Sequence, residues 1–202
     1  MKSLNKMRRS KPPVWVSRSS EFDIATVSDL ICQLRAEEED YPVNSLEYQR
    51  LKASITAARN YIEAATGRVF VDSTVDVYFD SFESKCIDLN IYPVRELVSI
   101  DYIGVDSDWH QLDLSVVDAD FVALRPYISA DWPSTAKALN AVKVRLNVGC
   151  QSREEIPGEA NVAALMLAAH LYQNASASAA IKLEEVPLGV KSMIDILRVT
   201  LL

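Results

Sequence analysis

The order of hydrophobic patterns along the chain places strands between two groups of helices. Two stretches with helical periodicity come first, a strand-rich middle follows, and two more helical stretches close the sequence. Each of the last two is opened by an apolar residue and a proline, Ile156-Pro157 and Val186-Pro187. An amphipathic helix must bury its apolar face, so the terminal helices are expected to pack on each other. The middle is then an insertion carried by a helical base, which suits contact with neighbouring proteins better than a catalytic pocket.

The helical stretches can be delimited from the sequence. Leu46–Thr66 repeats apolar residues at helical spacing, and Gly67 stands where a left-handed C-terminal cap is expected. A shorter helix is predicted at Ser28–Arg35, before an acidic loop. After the strands, helices are predicted over Ala160–Asn174 and from Leu188 onward.

The middle of the chain changes to the two-residue period of β-strands. Apolar and polar residues alternate over Val75–Phe79 and again over Val142–Val148, as in strands with one buried and one wet face. Further strand-like runs are Cys86–Ile91, Leu97–Ile103, Gln111–Val117 and Phe121–Leu124. The segment Arg125–Leu139, which contains Pro126 and Pro133, is predicted to be an irregular connection.

These patterns predict an α+β fold. Residues 21–70 and 156–202 are expected to form a helical base of four helices, and residues 71–155 an inserted small antiparallel β-sandwich or open barrel. Residues 1–20 are expected to be an extended basic arm that becomes ordered only in an assembly, because Lys11-Pro12-Pro13 favours a polyproline-like conformation. A chain of 202 residues with 49% hydrophobic content is large enough to bury such a core.

Charge is unevenly distributed along the chain. The net charge is −7, yet the first 20 residues carry +6 with no acidic side chain, which leaves −13 on the other 182. The acidic body is expected to repel DNA, whereas the arm can contact a phosphate backbone or an acidic protein surface. The apolar triplet Val14-Trp15-Val16 favours protein, because burial on phosphates gains little. The candidate contact residues of the arm are Arg8, Arg9, Lys11, Val14, Trp15 and Val16.

Several classes of protein are excluded by composition. The longest nearly uncharged stretch, Val162–Ile181, contains a histidine, amides and serines, and is too polar for lipid. No apolar signal follows the basic N-terminus, so neither membrane contact nor secretion is expected. The cysteines Cys32, Cys86 and Cys150 are far apart and odd in number, which indicates reduced side chains in a cytosolic product.

Motifs for catalysis or cofactor binding are missing from the sequence. The five glycines are too scattered for a dinucleotide-binding loop, a P-loop or a nucleophile elbow. Asp106–His110 resembles the start of a calcium loop, but Gln111 replaces the required glycine, so a polar hairpin turn is favoured. His170 is expected to be a helix residue that hydrogen-bonds a neighbour. The sequence therefore predicts no enzyme, no cofactor and no metal site.

The end of the chain is unusually apolar for a terminus. Such a segment either packs on its own core or inserts into a partner. Packing on the protein's own core explains why Ile194 and Leu197 are apolar. Insertion into a partner explains better why the last four residues are mostly apolar. The candidate docking residues are Val186, Leu188, Met193, Ile196, Val199, Leu201 and Leu202.

Six segments, in this order, resemble a family of tailed-bacteriophage head-to-tail connector proteins, also called adaptor or head-completion proteins. They are Leu51–Phe70, Ile91–Tyr102, Trp132-Pro133, Ala141–Gly149, Ile156–Asn174 and Val186–Arg198. Each segment alone is common, and the ordered set is what is specific. Together they span most of the chain.

The resemblance implies a non-enzymatic virion protein of the neck, made in the host cytoplasm. Such proteins form a homo-oligomeric ring, usually a dodecamer, that docks on the portal protein and joins the DNA-filled capsid to the tail or to the next neck or tail-completion protein. DNA would pass through the lumen without sequence-specific binding. The acidic balance of the chain fits such a channel.

A second interpretation comes from a different class of protein. The strand-rich middle can be a β-sandwich binding module for a carbohydrate or a host protein, carried on the helical base. Aromatic residues that could line such a site are Tyr92, Tyr102, Trp109, Tyr127 and Trp132, although scattered strand aromatics more often belong to a core. Copy number separates the two, because a ring former assembles with its portal and a binding module is a monomer or trimer.

Overall fold

The computed structural model describes residues 11–82, 89, 91–120, 125–128, 131–174 and 187–198. Within these residues the chain forms four α-helices and seven β-strands. The helices are α1 (Val27–Leu34), α2 (Leu46–Thr66), α3 (Gly158–Gln173) and α4 (Leu188–Leu197). The strands are β1 (Val14–Arg18), β2 (Ser73–Phe79), β3 (Val94–Ile103), β4 (Trp109–Gln111), β5 (Val117–Asp120), β6 (Arg125–Ile128) and β7 (Val142–Val148).

The helices belong to one of two compact units, formed by Ser20–Val71 and the described residues from Cys150 onward. Local signals set the limits of α1 and α2. Thr26 and Asp29 form a reciprocal capping box at the start of α1. The Ser45 hydroxyl accepts from the Tyr48 N–H to begin α2, and Gly67 ends it with φ 73°.

The core of the helical unit joins large side chains of α2 to small side chains of α3. Leu51, Ile55 and Ile62 are 0–2% exposed. The opposing face of α3 offers mainly alanines, which let helix backbones approach closely; Ala160, Ala163, Ala164 and Ala168 are fully buried. Two buried charged residues have polar partners: Arg59 binds the Asp23 carboxylate at 2.7 Å, and Glu63 Oε1 accepts from the Phe70 N–H at 2.9 Å.

The strands belong to the other compact unit, formed by the described residues up to Ser19 together with Asp72–Gly149. Five of them make an antiparallel sheet in the order β1-β2-β7-β3-β4, and β5 pairs with β6 in a separate hairpin. The five-stranded sheet stays open in the described part of the chain, so β1 and β4 are its two edges.

Register places apolar and polar residues on opposite faces of this sheet. Val75 lies opposite Leu146, and Val77 lies opposite Val144; all four are fully buried. The other face carries the alternate residues of the same strands, which are polar or aromatic. The alternation of apolar and polar residues over Val142–Val148 therefore matches the structure, in which the apolar residues are buried and the polar ones are partly exposed.

The predicted α+β class is confirmed, and α2 has the predicted limits. Two element predictions are wrong. Gln111–Val117 was predicted to be one strand, but a 3₁₀ turn over Leu114–Val116 interrupts it, because Asp113 Oδ1 accepts from the Ser115 N–H at 2.9 Å. Arg125–Leu139 was predicted to be irregular, yet its first four residues form β6. The predicted strand Phe121–Leu124 and most of Cys86–Ile91 lie outside the described residues.

Candidate interaction surfaces

Helix α4 presents two large apolar side chains to solvent. Its buried face carries Val190, Ile194 and Leu197, which join the core of the helical unit. On the outer face, Leu188 is 77% exposed and Ile196 is 70% exposed. Exposed aliphatic side chains at this density on one short helix form a candidate contact surface for another protein. We call Leu188 and Ile196 the outer face of α4.

The other predicted docking residues are divided between the core and the undescribed part of the chain. Met193 is partly buried and packs against the helical core, so it is not part of the outer face of α4. Val186, Val199, Leu201 and Leu202 lie outside the described residues. The sequence placed all seven in one group because they are all apolar, whereas among the described ones the helical period separates Met193 from Leu188 and Ile196.

The C-terminal end of α4 is tied to the C-terminal end of α2. Arg68 Nε donates to the Leu197 carbonyl oxygen at 2.6 Å, and Arg198 Nε donates to the Ala65 carbonyl oxygen at 3.3 Å. These bonds satisfy carbonyl groups that a helix end leaves without an intrahelical partner. Helix α4 is therefore held on its own unit by buried side chains and by its last turn, and its outer face stays open.

The described part of the predicted arm forms strand β1. Val14 pairs with Asp76 and Ser17 with Thr74, and a bulge between Trp15 and Ser17 leaves Val16 without an opposite residue in β2. The sequence predicted an extended arm that becomes ordered only in an assembly. Residues 14–18 are extended as predicted, but they pair with β2 of the same chain, so this part of the arm has a partner without an assembly.

Strand β1 is also the most apolar exposed edge of the sheet. Val14, Trp15 and Val16 are 42%, 41% and 50% exposed. The Arg18 guanidinium stacks on the Trp15 ring at 4.2 Å, and the Lys11 ammonium lies 3.5 Å from the centre of the Tyr78 ring. Of the six predicted arm contacts, Arg8 and Arg9 lie outside the described residues.

The opposite edge of the sheet is the tight β3–β4 hairpin. Gly104 donates its N–H to the Asp108 carbonyl oxygen at 2.9 Å, and Asp106 binds the His110 ring at 2.9 Å. A Cβ atom on Gly104 would lie 2.6 Å from Asp106 Oδ1, so a larger residue here would force the Asp106 and His110 side chains to shift. The hydrogen bond from His110 lowers the pKa of Asp106. The predicted polar hairpin turn is what the structure contains.

The aromatic residues suggested for a carbohydrate or host-protein site have separate roles. Tyr102 packs edge-on against Phe82 at 5.8 Å, and Trp132 stacks on the same ring at 4.5 Å. Trp109 is 54% exposed on β4, and Tyr92 is partly buried. The side chain of Tyr127 lies outside the described part of the structure. Tyr102 and Trp132 therefore serve packing around Phe82 rather than an open platform.

Charged groups on the polar face of the sheet are paired with each other. Arg145 binds Asp76 through two hydrogen bonds of 2.7 and 2.9 Å, which raises the pKa of the guanidinium, and Lys143 binds Asp101 at 3.0 Å. Such pairs hold neighbouring strands together. Among the described residues, no group of three or more His, Cys, Asp or Glu side chains is arranged to hold a metal ion.

None of the helices in the described ranges has the length and apolar character required to cross a membrane. A scan against protein-family models gave no match, and a search of curated proteins gave none either.

Solved structures with the same fold come from gene transfer agent (GTA) particles. One is a chain of the virion of a native GTA particle, with a TM-score of 0.68 and 18% identity, covering 94% of this chain and 96% of that chain. A second is from the neck of an empty GTA particle computed with C6 symmetry, with a TM-score of 0.68, 17% identity and the same coverage. A third, from the neck of a native GTA particle computed with C12 symmetry, has a TM-score of 0.55 and 18% identity over 92% and 96% of the two chains. At these identities the similarity establishes a shared fold.

Proposed function

We propose that this chain is a structural protein of the virion neck, in a connector ring between a DNA-filled head and a tail. One observation carries the proposal: its fold matches chains of GTA virions and necks over nearly the full length of both partners. A shared fold alone does not fix function. Here the match extends across both compact units, and the six segments that resemble phage connector proteins point independently to the same place.

A ring of identical copies is the assembly that this proposal requires. The similar neck structures were computed with C6 and C12 symmetry, which are the symmetries of rings. A dodecamer fits both, because a twelve-fold ring also has six-fold symmetry. Identical copies in a ring expose the same surfaces at every position, so one weak contact surface per chain is repeated many times.

The outer face of α4 is the surface that we assign to the portal protein. Leu188 and Ile196 are exposed although the buried face of α4 is well packed, so their exposure is not a result of poor docking of the helix. The undescribed residues that follow the helix add Val199, Leu201 and Leu202 to the same apolar end of the sequence. Burial of these side chains on a partner supplies association energy that a polar helix end lacks.

The acidic character of the chain is compatible with DNA passing through the ring. A net charge of −7 would keep a duplex from adhering to the channel wall, since both surfaces are negative. The strand unit supplies the remaining contacts, to neighbouring copies and to the next neck or tail-completion protein. No step of this role needs catalysis, a cofactor or a membrane.

Imaging of particles from the strain that encodes this chain tests the proposal. Antibodies raised against the purified protein are bound to tail-bearing particles and to particles that lack a tail, and the complexes are viewed by electron microscopy. We expect label at the single vertex where the tail joins, and a ring below the portal after symmetry-imposed reconstruction. Label along the tail, over the whole capsid or on tail fibres would contradict it.

A further inference from the structure

Both edge strands of the described sheet, β1 and β4, direct backbone N–H groups away from the sheet. On β1, the Ser19 N–H donates to the Asp72 carbonyl oxygen, so the even-numbered residues of β2 face β1, and Val14, which lies opposite Asp76, faces β2. Trp15, the next residue of β1, therefore directs its backbone groups outward. Val16 is the residue that the bulge leaves without an opposite partner. The Trp15 N–H is thus directed at the free edge, within a run of three exposed apolar side chains.

The backbone hydrogen bonds between β4 and β3 show which N–H groups of β4 point away from the sheet. The Leu112 N–H donates to the Ile100 carbonyl oxygen, and Asp108 accepts from Gly104, so the even-numbered residues of this hairpin face β3. Trp109 and Gln111 therefore direct their N–H groups away from the sheet. Unpaired strand edges of this kind are templates for a further strand.

The two edges are complementary in charge and similar in apolar exposure. The first 18 residues, which lead into and include β1, carry six basic and no acidic side chains. Residues 94–113, which contain β3, β4 and their hairpin, carry five acidic side chains against one arginine. An exposed tryptophan stands at each edge, Trp15 at 41% and Trp109 at 54%. A basic apolar edge and an acidic apolar edge attract each other, whereas two copies of either edge repel.

We propose that the β1 edge of one copy pairs with the β4 edge of the next copy. This deepens the proposed function and rests on it, because it names the contact that builds the ring. The interface uses two different surfaces of the chain. Each copy can therefore bind one neighbour through its β1 edge and a second neighbour through its β4 edge. When the rotation from one subunit to the next brings the last subunit back to the first, the subunits form a closed ring. In that ring every β1 and β4 edge is covered by a strand of a neighbour.

The direction of the new pairing is fixed by the sheet. Five antiparallel strands in the order β1-β2-β7-β3-β4 make β1 and β4 run in the same direction. A copy related by rotation about a ring axis keeps that direction when its β1 meets β4 of its neighbour. The inter-subunit pair is therefore parallel, with the middle of β1 near the middle of β4.

Cysteine crosslinking in assembled particles tests this contact. In a background of Cys32→Ser and Cys86→Ser, which removes the exposed thiol of the described residues and the thiol that lies outside them, Val16→Cys and Gln111→Cys are introduced together and treated with a short bis-maleimide. We expect a ladder of covalent multimers up to the ring size. The single variants are the matched controls and should stay monomeric. Dimers of Val16→Cys alone would show that β1 edges meet each other, and would overturn the proposal.

The same particles separate this inference from the proposed function. If a ring of this protein is present at the neck and the double-cysteine chain stays monomeric, the edge pairing is wrong while the connector role stands. If the protein is absent from the neck, the proposed function itself fails.

A proline substitution gives a second, independent readout. Gln111→Pro removes one outward N–H, and the control Gln111→Thr keeps it. Folding of both purified variants is checked by circular dichroism. We expect at least a tenfold loss of incorporation into particles for the proline variant and near-normal incorporation for the control. Normal incorporation of the folded proline variant would overturn the inference.

Discussion

The Arg145 guanidinium and the Asp76 carboxylate form a two-bond ion pair between β7 and β2, and their burial is unequal. The Asp76 side chain is 7% exposed, whereas that of Arg145 is 35% exposed. The carboxylate therefore depends on its partner for solvation, while the guanidinium can still reach water.

Loss of the arginine is expected to be more harmful than loss of the aspartate. Arg145→Met leaves a buried carboxylate without its partner and should lower the free energy of unfolding by about 3 kcal/mol. Asp76→Asn keeps a hydrogen-bond acceptor and should cost about 1 kcal/mol. Urea unfolding of both variants and of the double variant measures the difference. Equal costs for the two single variants would contradict this account.

The start of α1 should make the stability of the protein depend on acidity. Burial would raise the pKa of Asp29, but hydrogen bonds from Thr26 and Arg153 outweigh it and lower that pKa. A carboxyl whose pKa is lower in the folded state stabilises the fold above its unfolded pKa, and the contribution disappears as pH falls through the folded value. Asp29→Asn should therefore be less stable than the wild type at neutral pH, with the difference shrinking as pH falls below about 4.

Unfolding of wild type and Asp29→Asn from neutral pH down to about pH 2 measures the effect. Glu39→Gln serves as a control for general charge effects, since Glu39 lies in the same unit and is exposed. A difference between wild type and Asp29→Asn that persists unchanged at pH 2 would contradict the assignment.

The tie between α2 and α4 should be local and measurable. Arg68→Met removes the donor to the Leu197 carbonyl oxygen and should reduce stability by about 1 kcal/mol, with faster amide exchange confined to α4. Arg198→Met is the matched control: its side chain is 59% exposed and its bond to Ala65 is longer, so it should change stability by under about 0.5 kcal/mol. Hydrogen exchange measured by mass spectrometry distinguishes the two, and equal protection of α4 in both variants would argue against the tie.

Elements with local start and stop signals could be predicted from the sequence. Leu46–Thr66 has an N-terminal serine cap and a C-terminal glycine cap within a residue of its ends, and its limits are those predicted. Strand β1 has no such signal, because its partner β2 begins more than fifty residues later in the sequence. Its basic and proline-rich surroundings indicated a free arm, and only the sheet shows that it is paired.

Other differences arise from polar side chains that compete with strand pairing. Leu112, Leu114 and Val116 alternate as in a strand, but Asp113 binds the backbone two residues on and produces a 3₁₀ turn. Pro126 argued against a strand, yet it pairs with Ala119 in a two-stranded hairpin, where each strand has an open edge that tolerates a missing N–H. Strand order, and with it the identity of the free edges, depends on contacts between distant residues that a single sequence does not reveal.

The helical period could have divided the candidate docking residues in advance. Val190, Ile194 and Leu197 follow the spacing of one buried face, which leaves Leu188 and Ile196 on the other side of α4. The sequence pointed instead to the apolar character of the whole terminal segment. What could not be predicted is that, within α4, the core fully buries Val190, Ile194 and Leu197, because that depends on how α4 lies on α2 and α3.

The outer face of α4 should be needed for attachment and not for folding. Leu188→Ser and Ile196→Ser together change two side chains that are 77% and 70% exposed, so the free energy of unfolding should stay within about 0.5 kcal/mol of the wild type. Incorporation into particles, measured by immunoblotting of purified particles, should fall at least tenfold, because the apolar contact with the portal is lost.

Ile194→Ala on the opposite side of the same helix provides the contrast. That side chain is 4% exposed in the core, so its truncation should cost about 2–4 kcal/mol by leaving a cavity. Once corrected for the amount of folded protein, its incorporation should remain normal, since the outer face is unchanged. If the double serine variant is instead destabilised as strongly as Ile194→Ala, Leu188 and Ile196 belong to the core of the protein. If it is stable and still enters particles at the normal level, the portal contact lies elsewhere on the chain.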